Sequence, residues 1–126
     1  MSPTLFVLLS LCGGLGAGAR YALDSLIQSR GEGTFPWGTV TINLTGSFAL
    51  GVVTGLVGHH LVPTAWQPVL GVGFLGGYTT FSTASLESVR LLQDGRVRGA
   101  ALNVAGTLVG SVVLAMLGLS VGALLS

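Results

Sequence analysis

Apolar residues run along this chain in long blocks that polar residues seldom interrupt. Thr4 to Leu23 forms one block, Trp37 to Gly58 a second, Trp66 to Leu86 a third and Gly99 to Leu124 a fourth. Each is close to the roughly 20 apolar residues that a membrane-crossing helix needs. The second and third blocks are parted by His59-His60-Leu61-Val62-Pro63-Thr64, where histidines and a proline suit an interfacial turn. Trp37 and Trp66 fall at block ends, the depth at which tryptophan is enriched. The pattern predicts one all-α membrane domain over 1–126 with four transmembrane helices.

Composition agrees. Only 7% of the residues are charged, half are hydrophobic and 21 are glycine. A soluble domain carries about 25% charged residues. Every charge lies within 20–32 or 87–98, and the intervening stretch 33–86 has none. The net charge of +1, without a basic run, excludes a nucleic-acid binder. Four spans put both termini and the turn at 59–65 on one side, and the loops at 24–36 and 87–98 on the other. Arg20, Arg30, Arg90, Arg96 and Arg98 all belong to the second side or its edge. The positive-inside rule makes that side cytoplasmic, so the expected protein is multi-pass in the cell membrane, N-out and C-out. Ala17-Gly18-Ala19 has the form of a signal-peptide cleavage site, but no Lys or Arg precedes the apolar run, so the first block is read as a span. The single Cys12 allows no intrachain disulfide.

Within the spans, small residues recur four apart, at Gly14/Gly18, Gly51/Gly55, Gly73/Gly77, Gly106/Gly110 and Gly118/Gly122, the spacing that lets helices pack closely in lipid. Polar residues also recur four apart. Thr39, Asn43 and Ser47 share one helix face, and Asn103, Thr107 and Ser111 share another. One buried amide is ordinary interhelical bonding, whereas two rows of three suggest a wetted track. In the third block, Gly76-Gly77-Tyr78-Thr79-Thr80 is a poor helix interior, and a break near Gly76–Thr80 is expected. Irregular backbone at membrane depth is tolerated only inside protein or beside a watery cavity, where freed carbonyls can hold a cation and a half-helix start favours an anion. Thr79, Thr80, Ser82 and Thr83 add hydroxyl donors.

Gly71-x-Gly73-x-x-Gly76 matches a dinucleotide fingerprint, but that motif needs a βαβ unit and here lies inside a charge-free span. His59 and His60, adjacent, point about 100° apart on a helix and make a poor metal pair. Asp24 and Glu32 read as loop residues. Within the spans there is no carboxylate pair, and no nucleophile has an obvious base, so the chain is read as a non-enzyme suited to passive permeation.

Three motifs carry a family resemblance over essentially the whole chain. Gly13-Gly14-Leu-Gly-Ala-Gly-Ala-Arg20-Tyr21, Gly38-Thr39-Val-Thr-Ile-Asn43-Leu-Thr-Gly46-Ser47-Phe48 and Gly73-Phe-Leu-Gly76-Gly77-Tyr-Thr79-Thr80-Phe81-Ser82-Thr83 resemble the helix motifs of the Fluc (CrcB) fluoride channels, the third being the most specific. The resemblance implies a passive, fluoride-selective channel exporting cytoplasmic fluoride. It implies an antiparallel dimer in lipid with two pores, and a structural sodium ion at its centre held by the carbonyls of Gly76 and Thr79. By position, Asn43, Phe81, Ser82, Thr83, Thr107 and Ser111 fall on the fluoride path, while Arg20, Thr39 and Asn103 are entrance or structural residues. The family signature usually places a second phenylalanine where this chain has Ala84. With the five-to-none arginine bias, that departure favours pairing with an oppositely inserted paralogue over a homodimer. Two other readings remain: a small drug/proton antiporter of four short helices, which needs a mid-span carboxylate, and a non-conducting membrane scaffold.

Overall fold

A computed structural model describes residues 2–30 and 35–125, leaving aside the side chain of Arg30. The chain is all helical. The first helix, α1, spans Pro3–Arg30, and the second, α2, spans Trp37–Gly58. The third span comes in pieces: a π-helical segment Gln67–Leu75, a single turn α3 at Gly76–Tyr78, and then α4 at Ser82–Gln93. The last helix, α5, spans Val97–Leu124. Helices α1, α2 and α5 are each long and apolar enough to cross a membrane. The third span does not register as one helix because its backbone is interrupted.

Helix ends depart from the apolar blocks for a simple reason. Hydrogen bonding, not apolarity, fixes where a helix stops. Thus α1 runs beyond Leu23 and α4 beyond Leu86, and the region read as an 87–98 loop narrows to the residues between α4 and α5. Asp24, read as a loop residue, is helical; Glu32 lies outside the described residues.

The turns explain themselves locally. Beyond α4, Gly95 adopts φ 76, its N–H donates to Leu92 O at 3.1 Å, and the Arg96 N–H reaches Leu91 O at 2.7 Å. This is a Schellman ending, in which glycine bears the left-handed conformation. Helix α2 ends the same way with a costlier residue. His60 has φ 60 and donates to Val57 O at 3.0 Å, while Leu61 donates to Leu56 O at 2.9 Å. The expected turn at 59–64 therefore begins with a histidine in a glycine position.

Two seams organise the packing. Helices α2 and α5 lie against each other so closely that a Cβ on Gly55 would stand 3.1 Å from Gly122 Cα, and one on Gly122 would stand 2.9 Å from Gly55 Cα. Gly51 and Gly118 meet one turn earlier in the same manner. Helix α1 similarly receives the first half of the third span. A Cβ on Gly73 would come 2.9 Å from Leu9 O, and one on Gly77 would strike the backbone of Gly13. Gly14, Gly18 and Gly106 have nothing within 4 Å of such a Cβ, so those members of the small-residue pairs do not serve packing inside the described chain.

Candidate functional site

The third span breaks at Thr79–Phe81. Thr79 turns extended, with φ −78 and ψ 157, and a new helix starts at Ser82. A sequence of two glycines followed by two β-branched threonines has little to gain from staying helical. A break also diverts backbone bonds, and here each diversion has an identifiable partner.

Asn43, on α2 and 8% exposed, supplies the main one. Its Nδ2 donates to Thr80 O at 2.8 Å, and its Oδ1 accepts from the Thr80 N–H at 2.8 Å. The side-chain amide thus replaces a peptide partner on both edges of Thr80. In a continuous helix the Thr80 N–H would serve Gly76 O. Likewise the Thr83 N–H, which would serve Thr79 O, goes to Thr80 Oγ1 at 3.3 Å and caps α4. Gly76 and Thr79 are therefore among the residues whose carbonyls lose their helical donors; Gly77 and Thr80 are others, and their carbonyls accept from Arg20 and Asn43 instead. Thr79 Oγ1 turns back to Leu75 O at 3.0 Å. Arg20 Nε donates to Gly77 O at 3.3 Å, anchoring α1 to the turn before the break. Gly46 lies directly beneath: a Cβ there would collide with Thr79 Cγ2 and stand 3.2 Å from Tyr78 Cδ2. Tyr78 itself is tied to α2 through its hydroxyl, 2.9 Å from Thr45 Oγ1.

Beside the break lies a cavity of about 460 Å³. Asn43, Gly76, Thr79 and Phe81 line it from the second and third spans, and Asn103, Thr107 and Ser111 line it from α5. Asn43 and Ser47 of the α2 row, without Thr39, and all three residues of the α5 row therefore converge on one space. Ser47 adds its hydroxyl, bonded to Asn43 O at 2.7 Å. The Thr107 hydroxyl is buried with no hydrogen-bond partner among the described residues. Phe81 is 87% exposed and stands at the rim.

Some expected residues lie elsewhere. Ser82 and Thr83 open α4 but are not on the cavity wall, whereas Arg20, expected at an entrance or in a structural role, holds the Gly77 carbonyl. Thr39, 2% exposed, lies one turn from Asn43 towards the start of α2. Residues that the spacing did not single out also matter. Ser88 and Ala84 line the cavity and bond to Asn103. Asp24 Oδ1 and Glu87 Oε1 are buried without a partner among the described residues, with Asp24 pressed against Gly38. Their one sequence signal was membership of the charged windows, Asp24 within the first and Glu87 at the start of the second.

A family model described as "CrcB-like protein, Camphor Resistance (CrcB)" matches residues 7–119. The chain belongs to the CrcB/FluC family. Similar proteins carry that family's name in full. Fluoride-specific ion channel FluC 1 of Leifsonia xyli subsp. xyli is 48% identical over 124 residues, 98% of this chain and 90% of its own length. Fluoride-specific ion channel FluC of Magnetococcus marinus is 44% identical over 117 residues, 92% of this chain and 95% of its own. FluC 2 of Cutibacterium acnes is 45% identical over 113 residues, 89% and 92% of the two chains. The CrcB/FluC family is one of ion channels, not enzymes, in line with the lack of a catalytic set.

Proposed function

We propose that this chain is a subunit of a passive, fluoride-selective channel that lets cytoplasmic fluoride leave the cell. The observation that carries this reading is the convergence of a broken span, two polar rows and an aromatic edge on one cavity. Fluoride is small and tightly hydrated, so a dry path must offer donors in place of water. The Thr107 hydroxyl has no partner among the described residues, and Asn43 Nδ2 keeps a second proton after serving Thr80 O. Ser111 continues the row along α5. The edge of Phe81 carries partial positive charge and can face an anion without binding it tightly, as conduction requires. No carboxylate lines the cavity among the described residues, so it lacks the proton carrier of an antiporter.

The channel works as an antiparallel dimer in lipid. Diverted backbone at the break and a fully presented Phe81 stand at the cavity rim. Broken backbone at membrane depth has to be covered by protein, and a second subunit supplies the cover. The carbonyls of Gly76 and Thr79, freed of their helical donors, fit one half of a cation site on the dimer axis. A sodium ion held there would add a fixed positive charge near the anion path. The arginine-bearing ends face the cytoplasm, giving N-out and C-out. With five arginines on that side and Ala84 in place of an aromatic residue, the second subunit is an oppositely inserted paralogue.

The test uses the assembly as it exists. The tagged chain is purified in mild detergent from its own cells and reconstituted into liposomes. Fluoride is expected to leave and chloride to stay, without proton coupling and with dependence on sodium, and a related chain of opposite charge bias is expected to co-purify. Retained fluoride would end the channel reading. Full flux from an assembly of this chain alone would end the paralogue reading.

A further inference from the structure

Helix α4 is the least secured element around the cavity. It packs chiefly on α5, and its buried residues are Ser88 and Leu91. Phe81, Ala84, Ser85 and Ser88 line the cavity at a spacing that makes one face of this helix. At the start of that face, Asn43 grips Thr80. Further along, a second amide grips it from α5.

That amide is Asn103 on α5, 2% exposed. Its Nδ2 donates to Ser88 Oγ at 2.8 Å and to Ala84 O at 3.3 Å. Ser88 Oγ in turn donates to Ala84 O at 2.9 Å. The donor edge of the amide and the serine proton are thus both directed into one triangle. The amide cannot be turned over, because Oδ1 would then face the Ala84 carbonyl, acceptor against acceptor. The atom left over, Asn103 Oδ1, is buried with no partner. It is an acceptor, and an acceptor offers an anion nothing.

We propose that Asn103 is a positioning residue of the ion path and not one of its donors. Acting through Ser88 and the Ala84 carbonyl, it fixes the seating of α4 on α5, and so the wall from Phe81 to Ser88. The donor row on α5 then begins one turn later, at Thr107. This rests on the channel reading, since it assigns a role within that path.

The test measures fluoride efflux from liposomes holding the natively assembled protein, with wild type, Asn103→Leu, Ser88→Ala, the double variant and Asn103→Asp. Wild-type efflux is the reference, and its absence would fail the channel reading before any variant is compared. Asn103→Leu is expected to lower flux about tenfold, the scale of one or two lost hydrogen bonds. Ser88→Ala lowers it less, and the double variant falls no further than Asn103→Leu, because the two residues act as one. In Asn103→Asp the protonated carboxyl can still donate to Ser88 Oγ, whereas the ionised form cannot and also repels the anion. Its flux relative to wild type should therefore rise as pH falls from about 8 to 5.5, Glu87 beside Ser88 being common to both proteins. Losses that multiply in the double variant, or a pH profile for Asn103→Asp that is flat relative to wild type, would overturn the proposal. If Asn103→Leu does not fold, the pH profile alone decides.

Discussion

The α2–α5 seam and the break in the third span hold the molecule together by opposite means. Along the seam, glycines 51, 55, 118 and 122 bring two regular helices into backbone contact. At the break, backbone partners are gone and side chains stand in for them: Asn43 for Thr80, Thr80 for Thr83, Arg20 for Gly77. A regular helix satisfies its own polar groups and needs only a close neighbour. An irregular one needs donors and acceptors delivered from outside, and those same groups then border the cavity where an ion can use them. Shape maintains the seam, whereas chemistry maintains the break.

Substitutions should separate the two. The largest effect is expected from Gly118→Val. Its Cβ would enter the backbone of Phe48 and stand 3.0 Å from Gly51 Cα, so the seam must part. A loss of about 3 kcal/mol or more should appear as failure to recover folded protein in detergent. Flux at the break would disappear with the fold. Thr107→Val keeps the volume and removes a hydroxyl with no partner among the described residues. Thermal stability should hold, while fluoride flux in liposomes falls about tenfold, the worth of one bond to a charged partner. Phe81→Ala touches the break without touching the seam. The side chain is almost wholly exposed within the chain, so subunit folding should be unaffected and flux should drop about fivefold. Gly106→Ala should be the quietest. Nothing lies within 4 Å of the added methyl, and alanine suits a helix better, so melting temperature should be unchanged or slightly higher with flux intact. A strong loss there would place a contact where the chain has open space.

Much of this difference was readable in the sequence. Apolar block length and charge placement announced four spans, and Gly76-Gly77 followed by two threonines announced the break within a residue or two of its position. The rows at Asn43 and Asn103 announced that two polar faces exist. Which way each amide points was not readable, because Asn43 and Thr80 are 37 residues apart and Asn103 and Ser88 are 15 apart. Spacing within one helix cannot reveal a partner on another. The glycine pairs were equally ambiguous. Gly51/Gly55 and Gly118/Gly122 pack together, while Gly14, Gly18 and Gly106 have nothing among the described residues within 4 Å of an added Cβ, although all obey the same spacing. The π-helical winding of Gln67–Leu75 left no recognisable mark in the sequence.

The most direct test of the account is fluoride efflux per folded assembly for Asn43→Leu beside wild type. Leucine keeps the volume and removes both bonds to Thr80 as well as the spare amide proton. The account predicts that the assembly still folds, since the seam is untouched, and that flux falls at least about a hundredfold. Wild-type flux from a folded Asn43→Leu assembly would mean that the break and its amide clamp do not build the ion path.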